Sequence, residues 1–338
     1  MDRAGSHFTN ELPFVLYRMP NEKKVKGIFQ QNAREGRISF SENGFVFAPF
    51  SNQKKTLWLQ PDSCFYADQP NATYHPNSIS EKVEGGADHK SLVKKAIATI
   101  DRGVMKKVVL SKPISVAKSV VPITLFERAI KLYEAAFCYL WFHPQSGIWL
   151  GASPEQLAMA KNGYFQTTAL AGTLPKTDDK LPKWTPKEYE EQEMVTHYLE
   201  EQLNQYLTEM TVEPRKSILA GSLWHQKTNI SGQLRNTATL KDVIDSIHPT
   251  SAVCGLPKTT AMNFILENEG YNRAYYTGYL GEVKGAENDA SIFVNLRCLQ
   301  IFENEVRIYV GGGITKDSNP QKEWDELVNK SSIMLALL

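Results

Sequence analysis

The pattern of apolar and polar positions changes character near residue 90. Before it, short β-branched and aromatic runs at residues 27–31, 44–49 and 56–59 alternate with polar turns, which predicts brief strands. They end in residues 69–88, rich in Pro, Asn, Ser and Gly, which read as a surface loop. Beyond it, Leu92, Val93, Ala96, Ile97 and Ile100 recur at helical spacing and predict a helix over 89–103, with Gly103 as its stop. A β-branched strand over 104–116 follows, then a helix over 123–135, the apolar run 137–143 and a strand over 147–151. Strands and helices mix without a strict βαβ period and without an internal repeat, so the pattern predicts an α+β architecture rather than a doubly wound parallel sheet. Residues 1–88 read as a β-rich part of the same fold that carries no motif. Residues 89–338 hold every candidate functional segment.

Two late helices place charges on their apolar faces. At roughly 100° per residue, the helix over 321–338 centres its apolar face on Leu327, Met334 and Leu337, and Glu323, Glu326 and Lys330 fall on that face. In the helix over 187–207, the stripe through Met194, Val195, Tyr198, Leu199 and Tyr206 takes in Glu191 and leaves Glu190 and Glu193 to solvent. Breaking a buried ion pair costs on the order of 3–5 kcal/mol. Inward charges therefore need one another, a metal or a charged ligand. Two inward glutamates on separate helices, Glu191 and Glu326, suit a hard divalent cation. Mg²⁺ in particular takes few carboxylates and leaves positions for water and an anionic substrate. A structural salt-bridge cluster is the alternative.

Three further segments carry candidate chemistry. The glycines Gly311, Gly312 and Gly313 either bring backbone N–H groups close to an anion or form a flexible turn. Lys107 alternates in phase with Val109 and Ser111, which makes it an ion-pair anchor or a base whose pKa is lowered by burial or neighbouring cations. At Gly151-Ala-Ser-Pro-Glu155 a strand ends in small residues and Pro154 forces a turn. Glu155 is then a carboxylate at a helix start or a general acid.

Composition narrows the classes. The 338 residues are 42% hydrophobic and 22% charged, enough for one large domain or two ordinary ones. A formal net charge of +1 and the lack of a polybasic block argue against a nucleic-acid partner. The start of the chain lacks a signal-peptide pattern and no apolar stretch approaches the ~20 residues that span a bilayer, so no membrane and a cytoplasmic location are expected. Cys64, Cys138, Cys254 and Cys298 are scattered, without metal-finger spacing, and read as reduced structural thiols. No P-loop is present, which argues against a phosphotransferase.

Taken together and in this order, several stretches closely resemble the chorismate-utilising enzymes, a family that includes isochorismate, salicylate, anthranilate and aminodeoxychorismate synthases. They are Lys107-Val-Val-Leu-Ser, Gly151 to Glu155, Ala169-Leu-Ala-Gly-Thr173, Ser222-Leu-Trp-His225 and His248-Pro-Thr-Ser-Ala252. Tyr276-Thr-Gly, Asn295-Leu-Arg297 and the tail Gly311 to Lys330 complete the set. The resemblance implies two packed β-sheets with helices outside and a buried site for chorismate and Mg²⁺. It also implies a choice of nucleophile. Isochorismate and salicylate synthases use a lysine at the position of Lys107 to activate water for attack at C2 of the ring, where anthranilate synthases usually carry Gln. Aminodeoxychorismate synthases place a nucleophilic lysine where this chain has Ala171. Both positions point to water, hence to an isochorismate synthase.

By the same resemblance Glu191 and Glu326 bind Mg²⁺, and Glu323 holds a metal water or supports them. Lys107 acts as base, and Glu155 protonates the departing C4 hydroxyl. Arg297 and Tyr276 hold the pyruvyl carboxylate. Gly172, Thr173, Gly311 and Gly313 add backbone or hydroxyl contacts, and Lys330 a cationic one. Ala252 leaves room beside the ring and His225 lines the site. The chain departs from the family at Gln192, where His usually follows the metal glutamate, and at Gly281-Glu282, where Gly-Trp or Gly-Tyr is usual. No tryptophan-feedback signature is recognisable. A salicylate synthase, which also eliminates pyruvate, and a non-catalytic chorismate-binding protein are the alternatives. An isochorismate product would pass to isochorismate-using enzymes of menaquinone or siderophore synthesis.

Overall fold

The computed structural model describes every residue except 1, 34–37, 39, 71–72, 76–82, 177–180 and 221–222. A short helix, α1 (Asp2–Thr9), precedes β1 (Phe14–Arg18), β2 (Lys24–Phe29) and β3 (Asn43–Ala48). Then come β4 (Leu57–Leu59), β5 (Ser63–Asp68), α2 (Gly86–Asp101), β6 (Lys107–Val116) and α3 (Pro122–Leu132). The middle of the chain forms β7 (Phe137–His143), β8 (Gly147–Ser153), β9 (Gln156–Lys161), β10 (Tyr164–Pro175) and α4 (Pro186–Leu203). It continues through β11 (Leu207–Val212), β12 (Lys216–Ala220), β13 (Leu223–Leu234), α5 (Leu240–Ile247), β14 (Gly255–Leu256) and α6 (Lys258–Asn268). It closes with β15 (Tyr279–Lys284), β16 (Asp289–Val294), β17 (Cys298–Ile301), β18 (Val306–Ile314) and α7 (Pro320–Leu335).

These strands build two antiparallel sheets. The first runs β14-β6-β18-β17-β8-β7-β1-β2-β5 and the second β11-β13-β10-β9-β16-β15-β3-β4, with β12 also paired to β13. Strands from residues 14–68 thus enter both sheets. The apolar run in β7 shows why the layers stack as they do. Phe137, Tyr139 and Trp141 point into an aromatic core shared with Phe45, Phe47 and Phe293 of the second sheet. Cys138, Leu140 and Phe142 point the other way, into a core with α3 and α7. Because both faces of the strand are covered, its sequence is continuously apolar rather than alternating. Phe137 stacks on Phe293 across the layers with centroids 4.2 Å apart. Truncating such a ring to Ala costs about 3–5 kcal/mol. Helices α4 and α5 cover the outer face of the second sheet, and α2 and α6 pack around the β6 end of the first.

The architecture is the expected α+β sandwich, with local corrections. The helix expected over 187–207 ends at Leu203, because Leu207 pairs with Leu234 as the start of β11. Part of the expected loop 69–88 lies outside the described residues. Its last residues, Gly86 to Asp88, already belong to α2, where Trp324 of α7 packs so closely that a Cβ on Gly86 would meet its ring at 2.8 Å. The pattern did not reveal α1, β1 or β5. In β1, Arg18 is almost fully buried and donates to the carbonyls of Tyr133 and Glu134, both at 2.7 Å, so it closes the C-terminal end of α3. The unusual Glu282 has a structural use. It accepts from Tyr17 Oη at 2.6 Å and pairs with Lys26, which joins β15 to β1 and β2 across the sandwich. Among the described residues no helix is long and apolar enough to cross a membrane.

Candidate active site

At one end of the sandwich, β6 and β18 of the first sheet face β10 and β13 of the second, with α4 and α7 beside them. A cavity of about 110 Å³ opens there. Glu155, Gly172, Thr173, Glu191, His225 and Ala252 line it. So do Tyr276, Arg297, Gly311, Gly313, Glu326 and Lys330. Two of the residues expected at the site do not touch the cavity. Lys107, wholly buried, stands behind Glu191, and Glu323 faces an adjoining groove that it shares with Lys187 and Glu326. Ser222 lies outside the described residues.

Local structure fixes these positions. Lys107 opens β6, and its Nζ sits 3.0 Å from Oε1 of Glu191 on α4. Gly313 makes that meeting possible. A Cβ there would lie 2.4 Å from Glu191 Oε1 and 3.0 Å from Lys107 Cε. Gln192, the other departure from the family, is buried beside Glu191. It donates through Nε2 to the Ala169 carbonyl at 3.1 Å and to Thr228 Oγ1 at 3.3 Å, so it anchors α4 to β10 and β13. At Gly172 the β10–β13 register slips by one residue and φ is +69°, a conformation that glycine adopts without strain. The slip turns the Gly172 carbonyl toward His225, whose Nδ1 lies 3.1 Å from it.

His225 then faces Arg297. The Arg297 Nη2 lies 2.9 Å from His225 Nε2. A guanidinium only donates and a carbonyl only accepts, so the ring carries its proton on Nδ1 and accepts on Nε2. Burial, followed by the Arg297 and Lys330 charges, holds the His225 pKa well below its ordinary value, so the imidazole is neutral. Burial also lowers the Arg297 guanidinium to about 10, against the pull of Tyr133 and Glu155. Arg297 holds a left-handed backbone at φ +46°, which aims its side chain from the β16–β17 connection into the cavity.

Glu155 occupies the turn between β8 and β9, where it is almost fully buried. It is not at a helix start, so that reading of it is overturned. Burial pushes its carboxyl up to about 8 even though Lys107, Arg297 and Lys330 all pull it down. At neutral pH it is an acid that holds its proton. Burial would raise Glu191 as well, but Lys107, Lys187 and Lys330 outweigh it and keep that carboxyl below its ordinary value. The two carboxyl groups are thereby tuned in opposite directions.

The three candidate metal glutamates each meet a lysine. Glu191 pairs with Lys107 at 3.0 Å, Glu323 with Lys187 at 2.6 Å and Glu326 with Lys330 at 2.7 Å. Among the described residues no three acidic, His or Cys side chains already converge closely enough to hold one ion. The donors nonetheless fit a hard divalent cation. Glu323 Oε2 is buried and makes no well-aligned hydrogen bond, with the Ser318 hydroxyl beside the carboxyl. Burial first, and the nearby Glu326 charge after Lys187, act on the Glu323 carboxyl, which lies above its ordinary value. A Cβ on Gly312 would lie 3.7 Å from Glu326 Oε1 and 3.8 Å from Glu323 Oε2, so both oxygens overhang the same strand position.

Two contributors were not legible in the sequence. Lys187 lies outside the apolar stripe of α4, and only its spacing of four residues before Glu191 hinted at a shared face. The other is the buried pair Arg273–Glu269. Arg273 donates to the carbonyls of Val253 at 3.0 Å and Val109 at 2.7 Å, and Glu269 accepts from Ser111 N at 2.7 Å. The pair ties β6 to the loop that carries Ala252.

The fold is that of an enzyme that binds chorismate. The model of the family described as chorismate binding enzyme matches residues 47–338, and the chain belongs to that family. The vibriobactin-specific isochorismate synthase of Vibrio cholerae is 24% identical over 97% of this chain and 86% of its own length. The isochorismate synthase DhbC of Bacillus subtilis is 28% identical over 82% of this chain and 73% of its own. Among solved structures, the menaquinone-specific isochorismate synthase MenF of Escherichia coli superposes with a TM-score of 0.83 at 22% identity, over 96% of this chain and 88% of that one. Anthranilate synthase component I of Streptococcus pneumoniae gives 0.74 at 18% identity, over 95% and 90%. The sandwich is therefore common to proteins named for different products, isochorismate and anthranilate.

Proposed function

We propose that this chain is an isochorismate synthase, which adds water at C2 of chorismate and releases the C4 hydroxyl. The observation that carries the reading is Glu155, a carboxyl held protonated to about pH 8 within the field of Lys107 and Arg297. Hydroxide is a poor leaving group, and a positioned acid of this pKa can protonate it as the C4–O bond breaks. Lys107 takes the proton from the attacking water. The new C2–O bond forms, the ring double bonds shift and C4–O breaks, so no redox partner is required. Lys107 must part from Glu191 before it can meet that water.

Arg297, braced by His225, grips the pyruvyl carboxylate with its planar fork, and Tyr276, which also lines the cavity, is the second residue assigned to it. Thr173, the Gly172 backbone, the Gly311–Gly313 strand and Lys330 complete the anion contacts. Ala171 and Ala252 line the cavity with small side chains and leave no nucleophile at the position where aminodeoxychorismate synthases use one. Glu191 and Glu326 would hold Mg²⁺, with Glu323 beside them. When bound, the ion neutralises the ring carboxylate and screens the acidic cluster. The product would go to isochorismate-using enzymes of menaquinone or siderophore synthesis.

Purified protein incubated with chorismate and Mg²⁺, with products resolved by chromatography, tests this reading. Isochorismate as sole product supports it. Salicylate with pyruvate shifts it to a salicylate synthase, and lack of turnover to a binding protein.

A further inference from the structure

Three lysines face three carboxylates at the site, and they are not equivalent. Lys107 is wholly buried, and Lys330 is held both by Glu326 and by the Gly311 carbonyl at 3.1 Å. Lys187 sits in the first turn of α4 and lines the groove between α4 and α7; its side chain is as exposed as that of Lys330, 22% each, but no backbone carbonyl holds it as Gly311 holds Lys330. Besides its 2.6 Å contact with Glu323 Oε1, its ammonium feels the charges of Glu326 and Glu191. It is thus a cation placed among all three carboxylates, with open space behind it. The oxygen it does not contact, Glu323 Oε2, is buried, and the Ser318 hydroxyl is the other polar group beside the carboxyl.

We infer that Lys187 is a built-in counter-ion. It holds Glu323 in place while no divalent cation is present, and it withdraws into the groove when the ion enters. The inference rests on the reading that Glu191 and Glu326 hold that ion. Two cations cannot share one acidic cluster without mutual repulsion, so the displacement of Lys187 opposes ion binding and sets its affinity. The short contact with Glu323 and the exit toward solvent are what such an exchange needs. Lys107 has no comparable exit.

Direct binding of Mn²⁺ to the full chain without chorismate, measured by titration calorimetry, tests this. Lys187→Met removes the competing charge but keeps the stem, and should bind Mn²⁺ about tenfold more tightly or better. Lys187→Arg keeps the charge and should match the unsubstituted protein. Lys322→Met, at an exposed lysine of the same groove, should also leave binding unchanged. Unaltered or weaker Mn²⁺ binding by Lys187→Met overturns the inference. If Glu191→Gln and Glu326→Gln bind Mn²⁺ as the unsubstituted protein does, the ion is held elsewhere and the underlying reading fails instead.

Discussion

Lys107 Nζ and Glu191 Oε1 stand 3.0 Å apart, one at the start of a strand in the first sheet and the other on the helix that covers the second. The contact joins the proposed base to a proposed metal ligand. While it lasts, Lys107 stays behind Glu191 and out of the cavity. Lys107→Ala should lower kcat by roughly 100- to 10,000-fold, with the far-UV circular dichroism spectrum unchanged. Near-normal formation of isochorismate by this variant would remove Lys107 from the mechanism.

As the proposed acid, Glu155 should set the alkaline limb of the pH profile. Burial raises its pKa to about 8, so kcat/KM is expected to fall as pH rises through that value. A profile flat to well above pH 8 would exclude it as the acid.

The same shift has a consequence for stability. Burial raises the folded pKa from 4.5 to about 8, so the stabilising contribution of the protonated form is complete below 4.5 and is lost as pH rises toward 8. Glu155→Gln removes the penalty of a buried charge. Its Tm should exceed that of the unsubstituted protein above about pH 8, and the difference should shrink toward pH 4.5. Melts that show no pH-dependent difference between the two proteins would contradict the shift.

His225 is expected to act through Arg297. His225→Ala leaves a guanidinium N–H without its acceptor, a loss of the order of 1.5–3 kcal/mol for a charged hydrogen bond. KM for chorismate should rise about tenfold with kcat changed far less. His225→Gln, which can still accept, should recover part of the loss. A variant that lowers kcat alone would argue for a direct chemical role instead.

The glycine strand offers a paired comparison. Gly313→Ala places a methyl 2.4 Å from Glu191 Oε1, whereas Gly312→Ala has 3.7 Å to its nearest neighbour. Steady-state assays should therefore show a much larger loss of turnover for Gly313→Ala. Equal losses would mean that the Lys107–Glu191 contact does not depend on that clearance.

Much of this site could be read from the sequence because helical and strand periods place charges on definite faces. The stripe on α4 separates Glu191 from Glu190 and Glu193, which are indeed exposed. Lys107 was legible for the same reason. What periodicity cannot supply is partner choice across the chain. Nothing local tells Lys187 to meet Glu323, or His225 to meet Arg297. The apolar stripe runs past the true end of α4 because pairing of Leu207 with Leu234, a contact between distant segments, overrides it. The strand β1 shows no alternation because all five of its residues are buried, Arg18 included.

The central claim is that water, activated by Lys107, becomes the C2 hydroxyl of the product. Turnover of chorismate with Mg²⁺ in heavy-oxygen water, followed by mass spectrometry of the product, tests it most directly. The account predicts isochorismate carrying one heavy oxygen at C2. Unlabelled isochorismate, or a product that forms only when ammonia is supplied, would contradict it.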